Sequence, residues 1–183
     1  MLTVGNKVVY PYQGPCLIGA VVKKVVGGMP TSFYQLALLD DSGGELFVPI
    51  DKVRDLGIRQ LIKKSEIPKL LGHLEKTVTI ATHWKQRSLD NMKLLASGSA
   101  FDLAEVVESL TELNATKALS PRDRQTLDRA RRVLICEISE VMGETKSAAA
   151  KQVDKALVRK SDEIAVRKKK RANRKPEIIE DAN

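Results

Sequence analysis

The chain has 183 residues, of which 43% are hydrophobic and 30% are charged, and its formal net charge is +8. These values are typical of a globular protein with one or two domains and exclude a disordered or fibrous chain. No apolar run approaches the roughly 18 residues of a membrane span, and the N-terminus lacks the pattern of a secretory signal. We therefore expect a cytoplasmic protein without membrane contact.

The cysteines and the charge distribution indicate which ligands and partners are to be expected. Cys16 and Cys136 lie far apart in the sequence and are not accompanied by clustered histidines, so we expect two reduced thiols, no metal site and no cofactor. Residues 81–142 hold nine cationic and nine acidic side chains, whereas residues 143–183 hold twelve and seven. The overall charge thus favours a polyanionic partner only weakly, and a nucleic-acid surface in the middle of the chain would need local placement of cations.

Residues 1–62 are predicted to form a small β domain. Short runs of β-branched and aromatic residues alternate with glycine- and proline-rich turns, and no helical pattern interrupts them. The predicted strands are Lys7–Tyr10, Cys16–Val26, Ser32–Leu39, Glu45–Pro49 and a last short one at Ile58–Ile62. Several short strands with tight turns indicate a Tudor-like or SH3-like barrel. The expected fold class is therefore α+β, because the rest of the chain is helical.

Residues 63–82 are predicted to connect this barrel to a second domain. Ser65–Pro68 is typical of a helix start and precedes three leucines, and Thr77–Ala81 is a β-branched spacer. Residues 83–158 are predicted to form a compact helical domain. Its clearest local signal is Ser120–Asp123, in which a serine N-cap, a proline at the first helical position and an acid at the third open a helix that Gly143 ends.

The first helix of this domain is predicted to bury a stripe formed by Leu89, Met92 and Ala96. The second starts near Ala100 and buries Leu103, Val106, Val107, Leu110 and Leu113. The third buries Leu127, Ala130, Leu134, Ile138 and Val141, and a fourth runs from about Ser147. Residues 159–183 form a basic tail with seven cations between Arg167 and Lys175, which self-repulsion should keep loose.

Enzymatic signatures are absent from the sequence. It has no Walker loop, no Rossmann glycine pattern and no GxSxG motif, and neither histidine has a nucleophile beside it. We therefore predict a non-catalytic binding protein without a small-molecule substrate.

Trp84 is the only tryptophan of the chain, and Lys85 and Arg87 follow it closely. On a helix that begins near His83, Trp84 falls about 80° from the centre of the predicted apolar stripe, and Arg87 lies farther round toward solvent. Two interpretations remain open. Trp84 closes the helical core, or it is exposed between cations and can wedge at a base step or stack on an unpaired base.

Two further groups of residues are candidates for binding. Arg122, Arg129 and Arg132 project away from the apolar stripe of their helix. They either form a solvated face with ion pairs or contact a DNA backbone. In the β domain, Lys24 lies beside apolar residues, and Phe47 precedes a proline, Pro49, that ends its strand. These residues either fill the core or form an edge for another protein.

The chain resembles the CarD/CdnL family of bacterial RNA-polymerase-binding proteins over roughly residues 2–158. The matching motifs are Val4–Pro11 with Gly14, Phe47–Ile50, Gly57–Arg59, Trp84–Arg87, Leu94–Gly98, Ala104–Val107 with Leu110, and Leu119–Ser120 with Ala130, Arg131 and Leu134. No single motif is decisive, but their order and spacing are specific.

This resemblance implies that the β domain docks on the RNA polymerase β subunit, with Lys24, Phe47 and Pro49 as contacts. It also implies that the helical domain contacts promoter DNA at the upstream edge of the transcription bubble. There Trp84 would act as a wedge with Lys85 and Arg87 beside it, and the protein would stabilise the promoter open complex and join the nucleoid through the polymerase.

The chain departs from relatives in that Phe47 replaces an arginine or methionine, and Gln86 and Leu89 stand where other members often carry cations. The alternative hypothesis is a specialised relative whose β domain binds a different protein and which lacks the promoter role.

Overall fold

The computed structural model describes residues 2–40, 42–75 and 84–158. The predicted spacer at 77–81 and the predicted basic tail at 159–183 lie outside this part of the chain. Strands occupy the chain up to Gln60 and longer helices follow from Ile67 onward. The predicted α+β organisation with two structural units is confirmed.

Five strands form one antiparallel sheet with the order β4-β3-β2-β1-β5. They are β1 (Lys7–Tyr10), β2 (Gly14–Val26), β3 (Met29–Leu38), β4 (Glu45–Pro49) and β5 (Arg59–Gln60). The core of this unit, which we call the β domain, contains Val8, Cys16, Ile18, Leu36 and Val48. These residues lie on one face of the sheet, and the side chains that alternate with them along each strand point to the opposite face of the sheet.

The β2–β3 hairpin is longer than the sequence suggested. The prediction placed residues 27–30 in a loop and began the strand at Ser32, whereas Val26 already pairs with Met29. Gly27 and Gly28 both have positive φ angles, 58° and 81°, as the two central residues of a type I′ turn require. The turn therefore needs only these two residues, and the strands continue up to it.

The helices are α1 (Ile67–Leu74), α2 (Trp84–Ser97), α3 (Ala100–Thr116), α4 (Pro121–Met142) and α5 (146–158), with short 3-10 turns at Ile50–Lys52 and Lys64–Glu66. The predicted start of α4 is confirmed, because the Ser120 hydroxyl accepts a hydrogen bond from the backbone N–H of Asp123 at 3.1 Å. Its predicted end is confirmed too, since Gly143 caps the helix in the left-handed conformation with φ 68°.

The helical core is formed mainly by α3 and α4. All five residues of the predicted α3 stripe are buried, and so are Ala130, Leu134 and Ile138 of α4; Leu127 and Val141 are partly buried against the same cluster. In the predicted connector, α1 contributes Ile67, Leu70 and Leu74 to this core. The helical unit in the structure therefore includes α1.

The predicted apolar stripe of α2 is wrong. Leu89 and Met92 are 54% and 45% exposed, and Ala96 is exposed as well. The helix instead buries Arg87, Asn91 and Leu95. These residues share a face at the spacing i, i+4, i+8, but two of them are polar, and a pattern of apolar residues could not reveal a face that is held by polar contacts.

The two units are joined by a set of contacts around Glu137 of α4, which is 0% exposed. The Arg59 guanidinium donates to both carboxylate oxygens, at 2.7 and 2.9 Å, and the Ile62 N–H donates to Oε1 at 3.0 Å. Arg59 Nε also donates to the carbonyl of Gly98, at 2.7 Å. We call Arg59, Glu137, Ile62 and Gly98 the interdomain clamp, because it ties β5 to α4 and to the α2–α3 loop.

Candidate functional site

Trp84 is exposed at the start of α2. Its relative exposure is 58%, so the interpretation in which it closes the helical core does not hold in this structure. The ammonium of Lys85 lies 5.7 Å from the centre of its ring. Trp84 also borders a groove of about 530 Å³, together with Lys117 of the α3–α4 loop and Arg122 of α4. The exposed indole therefore has one cation near its ring and shares a groove with two more.

Arg87 does not face solvent, and this prediction is wrong. The residue is only 6% exposed, and its Nη2 donates to Oδ2 of Asp123 at 3.0 Å. The same oxygen accepts the hydroxyl of Ser120 at 3.0 Å. Since Ser120 and Asp123 form the N-cap of α4, Arg87 ties the first turn of α2, and with it Trp84, to the beginning of another helix. Arg87 also lines the groove beside Trp84, and its pair with Asp123 fixes the beginning of α2 against α4.

Arg122, Arg129 and Arg132 are exposed, as the sequence predicts, and the structure brings them together in one groove of about 580 Å³, which we call the arginine groove. At 1.5 Å rise per residue, Arg129 and Arg132 lie about 10 and 15 Å along α4 from Arg122. In the part of the chain that the structure describes, no carboxylate forms a salt bridge with any of the three. Arg122 also lines the groove beside Trp84. The cations therefore continue the Trp84 surface along α4, although Asp128 also lines the groove.

Tyr12 closes this groove from the side of the β domain. Its φ is 66°, an uncommon value for a bulky residue, and its hydroxyl donates to the carbonyl of Met92 in α2 at 3.1 Å. The ring lines the groove beside Arg129 and Arg132. The sequence analysis did not find Tyr12 as a site residue, because no pattern links a turn after β1 to a helix eighty residues later.

Lys24, Phe47 and Pro49 lie on one face of the sheet, opposite the core of the β domain. In the register Val22 stands beside Phe33, and Phe33 beside Pro49. We call Val22, Lys24, Phe33, Phe47 and Pro49 the outer face. Phe47 is 43% exposed, and the ammonium of Lys24 lies 3.5 Å from the centre of its ring. The structure thus brings the three predicted polymerase contacts together, and β4 forms an edge of the sheet.

Titratable groups in the β domain have structural roles. Burial raises the pKa of the Cys16 thiol to about 12, so this thiol stays protonated at neutral pH. A hydrogen bond from the Ser42 hydroxyl lowers the pKa of Asp40, and the positive charges of Lys146 and Arg132 lower it further. Asp40 therefore remains ionised near one end of the arginine groove.

The described residues contain no cluster of three or more histidine, cysteine, aspartate or glutamate side chains that could hold a metal ion. Within the same residues, no helix is both long and apolar enough to cross a membrane. The chemistry of the grooves is that of aromatic and cationic side chains, which suits binding to phosphates and bases.

Comparison with known proteins assigns both units. Residues 2–62 match the family described as the CarD-like/TRCF RID domain, and residues 69–154 match the family described as the CarD C-terminal domain. The chain belongs to the CarD/CdnL family. The resemblance is therefore confirmed. Proteins of the CarD/CdnL family are transcription factors, and their N-terminal domain belongs to a family of RNA-polymerase-interacting domains.

Two individual relatives are similar to this CarD/CdnL member. The protein named "Putative transcription factor YdeB" of Bacillus subtilis (strain 168) is 27% identical over 149 residues, which cover 80% of this chain and 95% of that protein. The solution NMR structure of the 72-residue N-terminal domain of Myxococcus xanthus CarD is 37% identical, covering 33% of this chain and 79% of that one, with a TM-score of 0.29.

Proposed function

We propose that this CarD/CdnL member docks on the β subunit of RNA polymerase through its β domain and stabilises the promoter open complex through Trp84. The observation that carries the proposal is the exposed indole of Trp84, which the buried Arg87–Asp123 ion pair holds among cations. At 58% exposure, the ring of Trp84 is accessible to a partner, and exposed aromatic side chains are common anchors of binding surfaces. Its planar ring and the cations around it match the bases and phosphates of opened DNA.

The mechanism is differential binding to two states of the promoter. A wedge that contacts unstacked bases lowers the free energy of the open state relative to the closed one, and it does so without catalysis. An indole–base contact contributes about 1–3 kcal/mol, which shifts the equilibrium by roughly 5- to 150-fold. Lys85 and Arg122 add contacts to phosphates near the wedge, and these carry no sequence information.

The arginine groove supports a longer DNA path. Arg122, Arg129 and Arg132 span about 15 Å along α4, and a DNA strand advances 3.4 Å per nucleotide. The three guanidinium groups would therefore follow the backbone of one strand over about four nucleotides, starting from the wedge. The outer face with Lys24, Phe47 and Pro49 belongs to the other unit. Polymerase and DNA would bind to separate surfaces, and the interdomain clamp would fix their spacing.

The test is a binding and opening experiment with purified components. A photo-crosslinking amino acid at position 47 should join this protein to the β subunit of RNA polymerase, and the protein should increase the fraction of promoter that reacts with permanganate in the bubble. The absence of a crosslink to the β subunit, with unchanged promoter opening, would contradict the proposal. It would support the alternative of a relative that lacks the promoter role.

A further inference from the structure

The turn between β1 and β2 has a backbone conformation that does not suit the residue it contains. It runs from Tyr10 to Gln13, whose N–H donates to the Tyr10 carbonyl at 3.1 Å. Pro11 at the second position and a φ of 66° at Tyr12, the third, are typical of a type II turn. Glycine or asparagine usually holds that third position, because a side chain is strained at positive φ. The turn itself therefore does not explain the tyrosine.

Contacts with the helical unit hold this turn in one position. Pro11 is buried, and a Cβ added at Gly98 would lie only 3.0 Å from its Cγ, so the proline packs closely against the α2–α3 loop. The Tyr12 hydroxyl donates to the carbonyl of Met92 at 3.1 Å. Backbone strain that the surrounding structure maintains is typical of functional sites. The role of Tyr12 is therefore to be sought in what its ring contacts.

The ring of Tyr12 has two kinds of neighbour. It is partly buried against the helical core, and it also lines the arginine groove and an adjoining pocket of about 50 Å³. In the arginine groove, α4 supplies the three arginines, whereas α2 supplies Met92 and Leu95. Met92 is 45% exposed, so it adds apolar surface near the aromatic ring. The groove thus combines phosphate-binding cations with an aromatic side chain.

This combination fits a single strand of nucleic acid. Proteins that bind single strands place cations along the backbone and aromatic rings against the bases. In a closed duplex the bases stack on each other and present only their edges in the grooves. A tyrosine ring can therefore stack only on a base that has left the duplex. Arg122 lines both this groove and the groove beside Trp84, so a strand that separates at Trp84 would continue into the arginine groove.

We propose that Tyr12 is a second aromatic contact of opened DNA, on which an unpaired base stacks after the strand has passed Trp84. This inference rests on the proposed promoter role and adds a residue of the β domain to it. Arg129 and Arg132, which line the groove together with Tyr12, bind the phosphates of the same strand. The strand then contacts both units of the protein, and the interdomain clamp keeps the two aromatic side chains at a fixed spacing.

Affinity for single-stranded DNA, measured with Tyr12 variants of the full-length protein, tests the inference. Fluorescence anisotropy titrations use a labelled oligothymidine of about 12 nucleotides and its duplex with oligoadenosine. Tyr12→Phe keeps an aromatic ring, and Tyr12→Asn removes it with a residue that tolerates the positive φ. We expect Tyr12→Asn to weaken single-strand binding about fivefold or more and Tyr12→Phe to weaken it less than about twofold. Neither variant should change duplex binding by more than about twofold.

A crosslinking experiment separates a direct contact from a structural role. Oligothymidine in which 5-iodouracil replaces the bases is irradiated in complex with the wild-type protein, and mass spectrometry identifies the crosslinked residues. We expect crosslinks at Trp84 and at Tyr12. Tyr34 is the matched control, because it lies in the β domain but outside the lining of the arginine groove, and we expect no crosslink there.

The outcomes separate this inference from the proposed promoter role. If Tyr12→Asn weakens single-strand and duplex binding equally, Tyr12 acts through the fold and the inference is overturned. A crosslink at Trp84 without one at Tyr12 also overturns it, while the promoter role stands. If Tyr12 crosslinks but the protein leaves promoter opening unchanged, base stacking is supported and the promoter role falls.

Discussion

Replacing Glu137 by glutamine tests the interdomain clamp most sharply. The carboxylate is fully buried and accepts three hydrogen bonds, two from Arg59 and one from the backbone of Ile62. Glutamine keeps the shape of the side chain and can still accept two of them through its oxygen. Its amide nitrogen, however, would face a guanidinium N–H, so that one donor would lie against another.

The expected loss follows from the burial of the pair. Removing one partner of a fully buried ion pair costs about 3–5 kcal/mol, but the Arg59 side chain is 27% exposed and water can solvate part of its charge. We therefore expect Glu137→Gln to lower the free energy of unfolding by about 2–3 kcal/mol. In such a variant the two units are also expected to lose cooperativity, since the clamp is a main polar link between them.

Urea denaturation followed by circular dichroism at 222 nm measures this loss. Glu140→Gln is the matched control, because Glu140 lies one turn later on α4 and also reaches the β domain, through Lys7 at 2.7 Å. That pair is 48% and 21% exposed, so its loss should cost less than about 1 kcal/mol. If the two variants are equally stable, the clamp does not hold the units together and the reasoning is refuted.

Three other predictions concern the site and the β domain. Arg87→Met should lower the free energy of unfolding by about 2–4 kcal/mol in urea denaturation, because the buried carboxylate of Asp123 loses its cation; a variant as stable as wild type would place Arg87 in solvent. Replacing both Arg129 and Arg132 by glutamine should reduce the slope of log K against log salt for duplex DNA by about 2, in fluorescence titrations. The Cys16 thiol ionises only near pH 12 in the folded protein and near pH 9 when unfolded, so its contribution to stability is complete below pH 9 and falls by up to about 1.4 kcal/mol per pH unit above it. Cys16→Ala should remove that part of the alkaline loss in urea denaturation at pH 8 and pH 10.

Controls for these variants are available on the same elements. Arg124→Gln removes one cation from α4 outside the lining of the arginine groove, so the salt slope should change by much less than the value of about 1 expected for each groove arginine. A change of about 1 in this control would mean that the slope reports total charge and not the groove. For Cys16, an unchanged alkaline slope in the alanine variant would show that tyrosines and lysines dominate the loss.

Local signals predicted the parts of the fold that depend on neighbouring residues. The start and end of α4 followed from Ser120, Pro121 and Gly143, because a cap and a left-handed stop need no distant partner. The α3 stripe followed from its apolar spacing alone. These features are encoded within a few residues, so the sequence reveals them.

The parts that the sequence did not reveal depend on polar contacts between distant residues. Arg87 was expected in solvent, but Asp123, 36 residues later, pairs with it in the interior. Arg59 and Glu137 are 78 residues apart, and no periodicity links them. A cation on an amphipathic helix is ordinarily assigned to the exposed face, and only the tertiary structure shows which charge has a buried partner.

The candidate docking residues were predictable from the sequence individually, but their arrangement was not. Lys24, Phe47 and Pro49 were selected from the sequence, while their assembly on one face depends on the register of three strands. The full length of the β2–β3 hairpin was missed because its turn needs only Gly27 and Gly28. The sequence therefore indicated the residues of the outer face but not the strand register that assembles them.

The lifetime of the promoter open complex in the presence of Trp84→Ala tests the central claim most directly. Competitor challenge of preformed complexes measures it, with Trp84→Phe as the variant that keeps an aromatic ring and polymerase affinity as the check on docking. We predict that wild type lengthens the lifetime about fivefold or more, that the alanine variant loses this effect while it still binds the polymerase, and that the phenylalanine variant keeps part of it. A lifetime unchanged by Trp84→Ala, with polymerase binding intact, would contradict the account.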